Sequence, residues 1–316
     1  MREKREDDCD RTKDDREDRR KREKKKSIAR VDRDVPKDEK DAIVKEFKDE
    51  CPNEKPDKAK CGEFAKNEKL NRSADLPILD ENRIKLQDAG YINANVIKIA
   101  DFNFTLIIAQ LPDPAIDGAI ETFWRMIFQN SVTQLSIGYV ATETSLAPAQ
   151  LFPIASGAFL YFGKMFVNNK KVETIGKETL TYTLEVLPDG CSNSIMVTVY
   201  HHVNWKKGKG PAVIGDIPLV AEKMLKANDS IAFCSLNGPG RGGTMAAIFA
   251  SMFAINKNNE IKVKEVVAKL RQQRYGIVET QEQYISIYAV LAQWFKSNSR
   301  DTDFTKKLDE LAILKS

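Results

Sequence analysis

Apolar residues along this chain recur with two periods, and each predicts a different element. Short runs rich in β-branched and aromatic side chains, "YINANVIKI", "FTLIIAQ", "QLSIGYV", "SIMVTVYH" and "DSIAFC", have the length and composition of strands. Longer stretches carry apolar positions three and four residues apart and predict helices: "AIETFWRMIFQ", "IPLVAEKML", "GGTMAAIFASMFAI", "KVKEVVAKLRQQR" and "TQEQYISIYAVLAQWF". A shorter stripe, Ile43, Val44 and Phe47, predicts a helix over residues 39–50. Strands come first and then alternate with helices. That order predicts one α/β domain over residues 36–300, a sheet flanked by helices, with no internal repeat.

The ends of the chain lack this patterning. Residues 1–30 hold fourteen Lys or Arg and ten Asp or Glu with almost nothing apolar. Such a segment cannot bury enough surface to offset its ordering entropy, so residues 1–35 are expected to be a disordered charged arm. Residues 301–316 are expected as a helical tail. The basic run "RRKREKKK" leaves open an arm that touches RNA or an acidic partner; a solubilising role is the plainer reading.

Composition narrows the function classes. The 316 residues are 42% hydrophobic, enough for a substantial core. No apolar stretch has membrane-spanning length, and the charged N-terminus is not followed by the apolar segment of a secretory signal. Five scattered cysteines without CxxC pairs argue against a disulfide framework or a zinc site and fit a reducing compartment. The expectation is a cytoplasmic protein, with the nucleus as the alternative, without cofactor or metal. With only His201 and His202, histidine-based triad or metal chemistry has almost no raw material. A net charge of +4 does not on its own indicate nucleic acid.

One stretch carries candidate chemistry. In "IAFCSLNGPGRGGT", Ile231 to Thr244, a short strand enters a glycine-rich loop that opens a helix. Glycines let the backbone curl so that successive N–H groups point inward, and a helix N-terminus adds partial positive charge. Leu236, Asn237, Gly238, Pro239, Gly240 and Arg241 would line such a phosphate cradle, with Arg241 offering a bidentate fork. No Gly-Lys-Ser/Thr follows, so it is not a Walker loop. The loop alone fits equally well a glycine-rich turn with a surface arginine.

Further motifs, in a fixed order, resemble the protein tyrosine phosphatase domain over nearly all of residues 39–297. "NRSADLPILDENRIKL" resembles that family's substrate-recognition segment, and "YINAN" matches outright. "IIAQLPDPAIDGAIETFWRM" resembles its core stretch, and "VYHHVNWKKGKGP" falls where the family has its mobile acid loop, W-P-D-x-G-x-P. "LRQQRYGIVETQEQY" resembles LRxQRxGMVQTxxQY. The resemblance implies a central twisted mixed sheet flanked by helices and a phosphotyrosine-binding cleft.

The departures from the family pattern bear on activity. The signature H-C-S-A-G-x-G-R-[ST]-G, laid without gaps and anchored at Gly238, Gly240, Arg241 and Gly243, puts the nucleophilic cysteine on Ser235 and the histidine on Cys234. Keeping Cys234 as nucleophile needs an extra residue before Arg241, which would break the ring of amides around one phosphate. A serine hydroxyl needs an adjacent base, and the loop has no histidine. The acid loop maps Trp205, Lys206 and Lys207 onto W-P-D, so the general acid falls on Lys207, and a lysine is a poor match to that proton transfer. The tyrosine walling the phosphotyrosine slot falls on Ser73. The first glutamine of the water-positioning segment falls on Glu279, while Gln283 remains.

Loss of these positions with retention of the packing motifs is the pattern of a pseudophosphatase. Such degenerate members are plentiful in nematodes, so the resemblance is nematode-like. It implies a catalytically inactive scaffold or regulator that binds a protein partner, one carrying phosphotyrosine included. Two alternatives stay open: an active phosphatase using Cys234 and Arg241, and an RNA- or chromatin-associated factor led by the basic arm. Among other residues, Cys234 reads as core or as a reactive thiol beside a helix N-terminus. His201 and His202 face opposite ways on a strand, one expected packed and the other exposed. Lys206, Lys207 and Lys209 form a basic rim or a solvated loop. Tyr275 is expected to cap helix packing. Phe123, Trp124, Phe159, Tyr161 and Phe162 are expected in the core.

Overall fold

The computed structural model of the chain describes residues 39–87 and 90–298. Eight strands form one mixed sheet: β1 (Ala94–Val96), β2 (Leu106–Gln110), β3 (Gln134–Gly138), β4 (Phe159–Phe162), β5 (Met165–Ile175), β6 (Thr179–Pro188), β7 (Ile195–His202) and β8 (Ile231–Ser235). Their spatial order is β1-β2-β8-β3-β7-β6-β5-β4. The ladders around β8 and β3 are parallel, and those towards both edges are antiparallel. Every residue of β2 and β8 is buried, as expected of parallel strands covered on both faces.

Six helices of eleven residues or more are described: α1 (Glu39–Glu50), α2 (Ala119–Gln129), α3 (Asp216–Ala227), α4 (Arg241–Asn256), α5 (Val263–Gln273) and α6 (Gln281–Asn298). Strand parity sorts the core into two layers. Leu106, Ile108, Ile231 and Phe233 face one layer, filled from α3, α4, α5 and α6. Ile107, Ala109, Ala232 and Cys234 face the other, against Phe123 and Trp124 of α2. Trp124 is fully buried and its indole donates to the Leu151 carbonyl at 2.7 Å. Helix α4 is apolar on all sides because it is buried on all sides, between β8 and the neighbouring helices.

Several features depart from the sequence reading. Strands β4 to β6 are absent from the runs read as strands: polar and charged residues interrupt β5 and β6, and β4 is an apolar run of only four residues. Phe159 and Tyr161 are not core: they are 58% and 69% exposed, since β4 is the last strand of the sheet and no layer of the described residues covers it. Phe123 and Trp124 are buried and Phe162 is half-buried. Neither His201 nor His202 is exposed. Strand β7 lies between β3 and β6 with material on both faces, so both parities point inward. Tyr275 is half-buried. The arm (residues 1–35) and the tail (301–316) lie outside the described residues.

The two histidines make folding acid-sensitive. Burial pushes the His201 imidazole, stacked on Tyr139 at 4.9 Å, down to about 4. Burial also pushes His202, between the hydroxyls of Ser136 and Thr179, down to about 3. A depressed folded-state value means that the unfolded chain binds protons first. The stability is therefore whole above the unfolded value near 6.5 and lost as pH falls from there towards 4. We expect His201→Leu to lose less stability than wild type between pH 7 and pH 5, by on the order of 1–2 kcal/mol in denaturant unfolding. Identical acid slopes would show that His201 is not buried neutral.

Candidate functional site

The turn between β8 and α4 is built from backbone. Ser235 closes the strand and Arg241 begins the helix; residues 236–240 curl between them. Gly238 has φ of +93°, a left-handed conformation natural to glycine, and its N–H bonds the Ser235 carbonyl at 3.1 Å. The N–H groups of Leu236, Asn237, Gly240 and Arg241 donate to no described residue. They are the donors of an amide nest at a helix N-terminus. Pro239 lies behind the loop, where its carbonyl accepts from the Val278 N–H at 3.1 Å. Ser235 is 2% exposed; its hydroxyl donates to the Gly238 carbonyl at 3.0 Å and accepts from the Gly242 N–H at 3.3 Å.

Arg241 is 3% exposed. Its Nη1 donates to Glu143 Oε2 at 2.7 Å and to the Trp205 carbonyl at 2.6 Å. Nε–H and the Nη2 amino group are thereby left for an incoming acceptor. Burial pushes the Glu143 carboxyl up, but the Lys207 N–H and the Arg241 guanidinium outweigh it and hold the group below its ordinary value. Glu143 thus fixes two pieces at once, because its Oε1 accepts the Lys207 N–H at 2.8 Å.

The loop over the cleft is tied down along its length. The buried Trp205 indole donates to the Lys209 carbonyl at 2.6 Å, and Thr280 Oγ1 donates to the Gly208 carbonyl at 2.7 Å. Lys209 pairs with Glu282 at 3.3 Å. Lys207 lines the cleft, a cavity of about 190 Å³, together with Arg72, Glu143, Ser235, Leu236, Asn237, Gly240, Arg241, Glu279 and Gln283. Of the three lysines anticipated as a rim, Lys207 alone lines the cleft, Lys206 is exposed and Lys209 is paired with Glu282; Arg72, not anticipated, joins the lining.

The far wall is Gln283, fully buried. Its Oε1 accepts the Glu279 N–H at 2.8 Å, while Nε2 is buried without a partner. A Cβ on Gly240 would lie 2.8 Å from Glu279 Oε2 and 3.4 Å from Gln283 Nε2, so the loop passes close against both side chains. Glu279 thereby brings a carboxylate to the nest. Ser73 is not among the lining residues; its hydroxyl accepts the Asp75 N–H at 3.3 Å in a local turn, and the neighbouring Arg72 reaches the cleft instead.

Cys234 points away from all of this. It follows Phe233 and precedes Ser235 on β8, so its thiol faces the opposite layer, beside Ala109 and Ile137. It is 1% exposed, and burial pushes the thiol up to about 12 despite the Arg274 charge. The sequence reading had no means of finding Glu143. The side chain sits just beyond the carboxyl end of β3, beside β8, where adjacent parallel strands bring their loops together. Among the described residues no cluster of three or more His, Cys, Asp or Glu side chains could hold a metal ion, and no helix is long and apolar enough to cross a membrane.

A parallel-centred sheet, an amide nest at a helix N-terminus and a pinned loop above it define an α/β protein with an oxyanion cradle. The chain belongs to the protein-tyrosine phosphatase family, whose sequence model matches residues 67–293. It is 41% identical over 254 residues to the Caenorhabditis elegans protein named "Putative tyrosine-protein phosphatase C15H7.3", covering 80% of this chain and 63% of that one. It is 23% identical over 259 residues to human tyrosine-protein phosphatase non-receptor type 2, covering 79% of this chain and 61% of the human protein. A receptor-type tyrosine-protein phosphatase of Caenorhabditis elegans is 26% identical over 271 residues, 74% of this chain and 19% of that protein. The chain thus spans about three-fifths of the length of the first two relatives.

The contrast between the two thiols is directly measurable. Thiolate is the reactive form, so a buried thiol pushed up to about 12 stays inert while the exposed Cys191 reacts. Alkylation of the native protein at pH 8, mapped by mass spectrometry, should label Cys191 rapidly and leave Cys234 unlabelled until denaturant is added. Rapid native labelling of Cys234 would place its sulfur in the cleft.

Proposed function

We propose that this chain is a catalytically inactive member of the family, a pseudophosphatase acting as a cytoplasmic scaffold or regulator through protein binding. The observation that carries this reading is the side chain at the foot of the cradle. Ser235 holds a hydroxyl there, and its proton is directed to the Gly238 carbonyl rather than to a basic side chain. Without a base a hydroxyl is a weak nucleophile. Above it, Lys207 stands in the cleft where the family's acid loop supplies a carboxylic acid. General acid catalysis is worth roughly 10²–10⁴ in rate, and its loss compounds that of the thiolate.

Binding is a separate matter. The free amides, Arg241 and Gln283 Nε2 still offer donors to an oxyanion, and Lys207 and Arg72 add positive charge around them. Glu279 opposes this, and Ser73 supplies no aromatic wall for a tyrosyl ring, a contribution on the order of 1 kcal/mol. A phosphorylated partner would therefore be held by its phosphate more than by its ring.

Purified protein should release no phosphate from a phosphotyrosine peptide above background, and the double substitution Ser235→Cys with Lys207→Asp should raise turnover only slightly. Sustained turnover by the wild type that disappears in Arg241→Ala would overturn the proposal. In calorimetric titrations, inorganic phosphate and the phosphopeptide should bind weakly and with similar affinity. Both should fail to bind Arg241→Ala. Tight peptide binding that survives Arg241→Ala would place the ligand elsewhere.

A further inference from the structure

The sheet has two edges, and the fold treats them differently. Beside β1 runs a covering segment: Arg83 bridges Asn95, the Ile84 N–H bonds the Ala94 carbonyl at 2.9 Å, and the Val96 N–H bonds the Asn82 carbonyl at 2.8 Å. At the other end, among the described residues, β4 pairs with β5 alone. The stretch of β5 that runs past β4 is guarded by Lys170, Lys171 and Glu173 and by a register shift between Asn169 and Lys171. Charges and irregular backbone are the usual means of keeping an edge strand from pairing. Strand β4 has neither, and residues 144–163 carry no charged side chain in a chain that is 30% charged.

The register of β4 is specific. The Asn169 N–H bonds the Ala158 carbonyl at 2.9 Å, which marks Ala158 as a position turned towards β5. By alternation Leu160 and Phe162 also face β5, while Phe159 and Tyr161 turn their N–H and C=O groups outward. The same two residues carry the most exposed aromatic side chains among the described residues. Their rings meet at 6.1 Å and both rest on Phe166, at 5.7 and 5.2 Å. An open main-chain edge and an uncovered aromatic patch thus coincide.

We propose that β4 pairs with β4 of a second copy of this chain, antiparallel about a twofold axis at Leu160, joining the two sheets edge to edge. In that register Phe159 lies opposite Tyr161 of the second copy and exchanges both main-chain hydrogen bonds with it, and the reverse pair does the same. Leu160 meets its own copy at the axis, at a non-hydrogen-bonded position. The two aromatics stand on one face, where cross-strand aromatic pairs are favourable. Absence of charge is what selects a second copy as the occupant. A strand recruited to a charged partner would carry the complementary charge, whereas a strand placed across a twofold from itself meets its own charges in duplicate. Strand β4 carries none.

Sedimentation velocity of the full chain, at concentrations rising to the high-micromolar range, should show a monomer–dimer equilibrium. Phe159→Lys and Tyr161→Glu should each raise the dissociation constant at least about tenfold, as expected for aromatic anchors at an interface. An equal mixture of the two variants should recover association, because the introduced lysine and glutamate face each other across the axis. Val172→Lys, on the neighbouring strand, should leave the equilibrium unchanged, and circular dichroism should show every variant folded. A wild type that stays monomeric throughout would overturn the proposal, as would a dimer indifferent to both β4 variants.

Discussion

A charged guanidinium with no carboxylate of the described residues beside it holds the cradle in shape. Arg274 is 1% exposed, and its Nη1 donates to Asn95 Oδ1 at 2.7 Å and to the Ile108 carbonyl at 3.2 Å. Its Nη2 donates to Asn93 Oδ1 at 2.7 Å and, at 3.4 Å, to the carbonyl of Asn237 in the glycine loop. Burial lowers its pKa to about 10, yet the group stays charged at neutral pH. A buried charge stripped of its partners costs roughly 3–5 kcal/mol, so the loop, β1 and the end of α5 are committed to one arrangement. Gly238 is part of that commitment, since a Cβ there would lie 2.5 Å from Arg274 Nη2. The "YINAN" asparagines are therefore functional through position: they hold the arginine that holds the loop.

Two more arginines extend the same logic outward. Arg271 donates to the Ile277 carbonyl at 2.8 Å and the Val278 carbonyl at 2.7 Å, fixing the start of the segment that ends in Gln283. It also donates to the Cys51 carbonyl and lies over the Phe47 ring, so α1 is tied to the cleft wall through it. Arg241 joins the nest to the loop above by way of Glu143 and the Trp205 carbonyl. In each case a planar fork of donors satisfies carbonyls that a turn would otherwise leave unpaired. The lid is consequently held against the cradle without a ligand.

Legibility from sequence followed how locally each property is encoded. The parallel strands, the buried helices and the glycine loop were readable because continuous apolar runs and glycine spacing depend on neighbours in sequence. Strands β5 and β6 were not, since their alternating polar positions look like loop until partners on both sides are known. Phe159 and Tyr161 read as core because an aromatic residue carries no mark of whether its strand is central or terminal. His202 read as one of a split pair because two-sided burial of β7 depends on sheet order. Glu143 lies 98 residues from Arg241, and nothing short of the fold brings them together. Spacing favoured Ser235 at the nucleophile position and left Cys234 as the alternative, and strand parity turns the two side chains to opposite faces of the sheet.

That parity also explains how chemistry and architecture can part company in such a fold. The supports of the cradle are backbone carbonyls, glycines, amide side chains and three arginines, none of which needs the residue at 235 to be a thiol. Ser235 fits because its hydroxyl can both donate to Gly238 and accept from Gly242, bonds internal to the loop. A thiolate in the same place would accept amides but could not donate, and the like charge of an arriving phosphate would oppose it. On the proposed reading, serine removes the nucleophile and that repulsion together, leaving a nest whose remaining negative neighbours are Glu143, already neutralised by Arg241, and Glu279 at the rim. The surrounding charge, Arg72 and Lys207 on the lining and Arg241 at its base, then acts on binding alone. On that same proposed reading the site has no need to open and close around each substrate, in keeping with a lid pinned by Glu143, Thr280 and Glu282.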